Sequence, residues 1–136
     1  MPVEVKRLPD EPIIVLTYSG AVDAGTVESA FQQSIELIDG IGGTAYRISD
    51  VRALQVDERR IGELFKLIID LRRDKSGSSA DPRIHGVFVG GHQLARIYAD
   101  FMRQHQFGGT LIPFYHTLDE ALAYIHFQIE QAKESQ

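Results

Sequence analysis

The stretch YRISDVRALQVDERRIGELFKLI, residues 46–68, decides the fold. Its start continues a β-rich run, Thr44 to Ser49, that ends at Asp50, and from Asp57 onward Ile61, Leu64, Phe65, Ile68 and Leu71 recur at helical spacing. A strand that passes through an acidic residue and a short loop into an amphipathic helix is one β-then-α unit. Arg59 and Arg60 open this helix, where the positive end of the helix dipole disfavours cations by ~0.3–1 kcal/mol. The pair therefore suits an anion or a partner better than it suits the helix, although Asp57 and Glu58 also offset the dipole and leave room for ordinary solvated arginines.

Outward from this unit the same alternation repeats. Toward the N-terminus, Val3 to Leu8 and Pro12 to Tyr18 read as two strands, the second carrying the run IIVLTY, with Pro9-Asp10-Glu11-Pro12 as the turn. So short a link permits only an antiparallel hairpin. A first helix follows, with Asp23 as N-cap, Val27, Ala30, Phe31, Ser34, Ile35 and Ile38 on its inner stripe, and the glycines between 40 and 43 as its stop.

Toward the C-terminus, SGSSADP at 76–82 breaks the second helix, and Ile84 to Val89 is a short apolar strand closed by Gly90-Gly91. A third helix presents Leu94, Ile97, Tyr98, Phe101, Met102 and His105, and Gly108-Gly109 ends it. The last unit is a strand from Leu111 to Tyr115, a capping box at Thr117 to Glu120, and a helix with Leu118, Ala121, Leu122, Ile125 and Ile129 inside, fraying from Gln131. The order ββαβαβαβα predicts an α/β layered fold: a five-stranded, mostly parallel sheet with an antiparallel first strand, and four helices joined by right-handed crossovers.

Composition narrows the classes. A chain of 136 residues, 43% hydrophobic, is expected to be a single domain with one real core. Nineteen acidic against 14 basic residues, a net charge of −5, argue against nucleic acid or an anionic membrane as main partner. With no cysteine, disulfides, thiolate catalysis and Cys-based zinc sites are excluded. The charged start MPVEVKRLPDEP and the lack of any long apolar run predict a soluble, unexported, cytoplasmic protein without a membrane span.

In the order of its elements, its length, the strand-Asp-loop-helix of residues 46–68 and the closing unit FYHTLDEALAYI, the chain resembles the SpoIIAA-like and STAS superfamily. The resemblance spans nearly the whole chain. It implies a small non-catalytic domain that binds a protein, a nucleotide or a lipid-like molecule, often as a dimer. Anti-sigma antagonists of this type carry a phosphorylatable Ser or Thr at the start of the second helix. The matching turn here reads Asp57-Glu58-Arg59-Arg60-Ile61-Gly62, with arginine in place of a hydroxyl.

In open α/β sheets the functional edge lies at the carboxyl ends of the parallel strands. The expected ligand-binding set at that edge is Asp50, Arg52, Arg59, Arg60, Gly91, His92 and His116, with the arginines, Gly91 and His92 receiving an anion and Asp50 ordering its loop. Gly90-Gly91 equally makes a simple tight turn, and an Asp at a strand end commonly caps the turn that follows. A protein partner or a small anionic ligand fits this edge, and no cofactor is implied. An enzyme using Asp50, His92 and His116, with or without a divalent metal, is the rival, although no catalytic spacing motif supports it. Lipid carriage is a third reading and requires a cavity of ~300 Å³ or more between sheet and helices. Tyr98, Met102, Tyr124 and Phe127 widen the apolar faces of the last two helices, which fits either a homodimer or a core that wraps further round them.

Overall fold

The computed structural model describes residues 3–55, 83–91, 93, 96 and 113–134. Its elements are β1 (Val3–Arg7), β2 (Ile13–Gly20), α1 (Ala24–Ile41), β3 (Ala45–Leu54), β4 (Ile84–Val89), β5 (Phe114–Tyr115) and α2 (Leu118–Glu134). The helices expected from Asp57 and across Leu94 to His105 fall largely outside the described residues, although Gln93 and Arg96 are helical. The strands form one five-stranded sheet in the order β1-β2-β3-β4-β5. β1 is antiparallel to β2, while the pairs β2–β3, β3–β4 and β4–β5 are parallel, as the loop lengths require.

The middle strands are apolar on both faces because both faces are covered. On one side Ile13, Val15, Tyr46, Ile48, Val87 and Val89 pack against Ala121 and Ile125 of α2. On the other, Leu16, Tyr18 and Val51 meet Val27, Ala30 and Phe31 of α1, and Ile14, Ala45 and Ile84 meet Ile38. Each fully buried Ile or Leu of this set contributes roughly 1.5–3 kcal/mol relative to exposure. That burial explains why IIVLTY shows no polar alternation.

α1 and α2 each begin on a side-chain cap. Asp23 accepts from the Thr26 N–H at 2.8 Å, and its carboxyl lies below the usual carboxylate range chiefly because Thr26 bonds it. Gly42, at φ 76, closes α1 in the left-handed conformation with its N–H on the Ile38 carbonyl. Thr117 caps α2: its hydroxyl oxygen accepts from the Glu120 N–H at 3.1 Å and its O–H donates to Glu120 Oε1 at 3.0 Å. Thr117→Ala is expected to cost about 1 kcal/mol in urea unfolding, while Thr117→Ser costs far less; equal losses would show that the hydroxyl is not the cap.

Two expectations need correction. β3 does not stop at Ser49 or Asp50 but runs to Leu54, because β2 itself continues to Gly20 and pairs Ser19 with Ala53 and Gly20 with Leu54 beyond an irregularity after Thr17. Asp50 is thus an interior strand residue. The C-terminal helix does not fray from Gln131 but persists to Glu134, with Ile129 packed on the core and Lys133 paired to Glu130 at 3.6 Å near the negative end of the helix. No helix among the described residues is long and apolar enough to cross a membrane.

Candidate functional site

The register places Asp50 of β3 opposite Val89 of β4, and Val89 opposite Tyr115 of β5. The residues just beyond these positions form the rim at the carboxyl ends of the parallel strands. Between Thr17 and Ser19 of β2, β3 advances from Asp50 to Ala53, so one extra residue is accommodated where β3 passes Asp50. Such a bulge re-aims side chains locally.

Here it accompanies a tight pairing of Asp50 and Arg52. Arg52 donates three times to one carboxylate: its backbone N–H to Oδ1 at 3.1 Å, Nε to Oδ1 at 3.0 Å, and Nη2 to Oδ2 at 2.8 Å. The Asp50 side chain is only 8% exposed, that of Arg52 46%. A buried carboxylate is therefore held by a guanidinium whose far edge faces solvent. The hydrogen bond to Asp50, with its charge and that of Asp119, raises the Arg52 pKa, against an opposing effect of burial. Asp119, in the first turn of α2, adds a weaker negative influence on the same guanidinium from a distance.

Gly90 follows the end of β4 and lies against Phe114 and Val51. A Cβ there would lie 2.8 Å from Phe114 Cζ and 3.1 Å from Val51 Cγ2, so packing alone accounts for glycine. Gly91 is exposed and a Cβ on it would meet nothing within 4 Å. His116 donates from Nδ1 to the Gly90 carbonyl at 3.2 Å, which ties the β5 exit to the β4 exit. Phe114 stacks on Phe88 with centroids 6.0 Å apart and meets the His116 ring edge-on at 6.5 Å.

Of the expected site, Asp50, Arg52, Gly91 and His116 are thus placed on the strand-end rim, with Asp50 and Arg52 in direct contact. Arg59, Arg60 and His92 lie outside the described residues. Asp50 and His116 each have a partner of their own, Arg52 and Gly90. Among the described residues no group of three His, Asp or Glu is arranged to hold a metal ion.

At the opposite edge, near the starts of β2, β3 and β4, lies an open cleft of about 400 Å³ lined by Pro12, Thr44, Tyr46, His85, Ile129 and Lys133 among others. Tyr46 and His85 stack there at 5.3 Å. Its walls are mixed polar and apolar and it opens to solvent, unlike the enclosed apolar cavity that lipid carriage requires.

A buried polar cluster escaped the sequence reading. Arg47, 3% exposed, lies with its Cζ 4.1 Å from the centre of the Phe31 ring and donates from Nη1 to Ser34 Oγ at 3.1 Å; the Ser34 hydroxyl in turn donates to the Phe31 carbonyl at 2.7 Å. Burial pushes the nearby Tyr18 hydroxyl up to about 12 despite the opposing pull of Arg47. The signal was present as a charge at the centre of an apolar strand and a serine on the inner stripe of α1. This cluster fastens α1 to β3 beneath the rim.

No protein-family model matches the chain, and a search of curated proteins finds no match. Among solved structures, an anti-sigma factor antagonist from Mycobacterium paratuberculosis is similar, with a TM-score of 0.51 and 16% sequence identity, over 91% of this chain and 92% of that one. At that identity the likeness concerns the fold, which is SpoIIAA-like.

Proposed function

We propose that this chain is a non-catalytic SpoIIAA-like interaction module, and that the strand-end rim around Asp50 and Arg52 receives a protein partner. The observation that carries this is the Asp50–Arg52 clamp. Its guanidinium is held on two nitrogens by a buried carboxylate and is half exposed on its remaining edge, so it is pre-oriented for an acceptor on another surface. With the Asp50 carboxylate bonded to that one cation, the described part of the rim favours a directional contact over capture of a free anion. The structural neighbour is an anti-sigma factor antagonist, which supports a protein as the partner in this reading.

A proton-transfer role for Asp50 is disfavoured because three Arg52 donors already occupy its oxygens. Phosphorylation control by the second-helix hydroxyl has no counterpart in Asp57-Glu58-Arg59-Arg60. A small anionic ligand remains the second reading, carried by the arginine pair Arg59 and Arg60 in the sequence. A homodimer belongs to the same proposal, since Phe127 stands 58% exposed on α2.

A photo-crosslinking side chain at exposed Gly91, used in the native cell, is expected to give a defined protein adduct that falls at least about fivefold when Arg52→Ala is added, while the same probe at His85 gives none. Equal adducts at both positions would overturn the rim as the partner surface. Isothermal titration with nucleotides, phosphorylated metabolites and fatty acids separates the second reading: heat that is lost on Arg59→Ala and Arg60→Ala would establish a small ligand instead.

A further inference from the structure

The outer edge of β1 carries a self-complementary code. Among the described residues no strand pairs with that edge. Glu4, Lys6 and Arg7 are exposed, and Val3 and Val5 are half-buried. In the hairpin, Leu8 pairs with Ile13 through the Leu8 N–H on the Ile13 carbonyl at 2.9 Å, and the register from there to Val3 and Tyr18 is unbroken. Hydrogen-bonded pairs alternate in an antiparallel ladder, so Glu4 and Lys6 bond to β2, whereas the N–H and C=O groups of Val3, Val5 and Arg7 point outward.

We propose that a second copy of this chain pairs here, β1 against β1 in antiparallel fashion about a twofold axis at Val5, so that two sheets join into one of ten strands. Only residues whose backbone groups point outward can form the bonded pairs of such an interface, which leaves three compact registers. Centred on Glu4, the ladder sets Glu4 against Glu4 of the second copy; centred on Lys6, it sets Lys6 against Lys6. Centred on Val5, it pairs Val5 with Val5, each Val3 with an Arg7, and each Glu4 with a Lys6. The last pairs fall at the non-hydrogen-bonded positions, where Cα atoms approach to about 4.5 Å and cross-strand charges interact most.

Charge on an edge strand ordinarily discourages association with other chains. Here the same charges exclude the two wrong registers and match in the right one, so the edge discriminates for its own copy. The interface is isologous and closes at two subunits, because pairing uses up both edges. It lies on the strand farthest from β5 in the sheet order, which leaves the Asp50–Arg52 rim to a different partner.

This inference rests on the dimer of the preceding proposal and assigns its surface, and sedimentation velocity over a concentration series tests it. Glu4→Lys or Lys6→Glu alone is expected to weaken dimerisation by roughly 10- to 50-fold, since two symmetric pairs turn repulsive. The double variant E4K/K6E restores the charge match and returns affinity to within about threefold of wild type. In parallel, the amide protons of Val3, Val5 and Arg7 gain exchange protection as concentration rises. An unaffected Glu4→Lys dimer, a double variant that stays monomeric, or a wild type that never dimerises would overturn the assignment. Loss of the dimer on Phe127→Ser with Glu4→Lys unaffected would uphold a dimer while moving it to α2.

Discussion

Gly90→Ala is expected to destabilise the protein by about 2 kcal/mol, whereas Gly91→Ala one residue later changes stability by less than about 0.5 kcal/mol. Neither glycine has a left-handed φ, so backbone strain does not enter. The difference is one of space. A methyl group on Gly90 would sit 2.8 Å from the tip of the Phe114 ring and 3.1 Å from Val51, and neither can retreat freely: Phe114 stacks on Phe88, and Val51 packs in the α1-side core. Relief requires β5 to move away from β4, which strains the Gly90 N–H bond to the Tyr115 carbonyl and the His116 bond to Gly90. Urea unfolding followed by circular dichroism measures both variants. Equal small losses would mean that the β4–β5 junction is loosely packed and that the rim is not a pre-formed surface.

Asp50→Ala is expected to cost about 2 kcal/mol as well, and to abolish partner capture through the rim. The carboxylate is almost wholly buried and organises three Arg52 donors, so its removal leaves a cavity, an unpaired Arg52 N–H and a guanidinium with no anchor. Because the Arg52 side chain is 46% exposed, its charge returns to water, which keeps the loss below the 3–5 kcal/mol typical of a wholly buried pair. Asp50→Asn separates the effects: an oxygen in the Oδ1 position preserves the backbone bond but removes the charge, and an intermediate loss of stability with full loss of binding follows. An Asp50→Asn protein that binds as well as wild type would show that guanidinium orientation is immaterial.

Much of this was legible from residue order. The hairpin followed from two β-rich runs separated by Pro9-Asp10-Glu11-Pro12, the parallel strands from the long connections between the others, and the caps at Asp23 and Thr117 from their chemistry. At the rim the sequence named Asp50 and Arg52 separately, one to order a loop and one to receive an anion. Their pairing depends on β3 continuing past Asp50 through the bulge opposite Thr17 and Ser19, where Arg52 turns back onto the Asp50 carboxylate. Local pattern did not reveal that continuation, because Arg52, Ala53 and Gln55 are exposed and carry no β-like alternation of their own.

Among the described residues, strand against helix, parallel against antiparallel and the cap residues were thus determined by the chain alone, since each depends on spacing, turn length or a side chain's reach to its own backbone. Tertiary structure decided how far β3 and the last helix extend, why Gly90 must be glycine, and that Arg47 is enclosed by Phe31 and Ser34. Those outcomes arise where elements distant in sequence compete for the same space and the same hydrogen bonds, and periodicity within one segment carries no record of a neighbour.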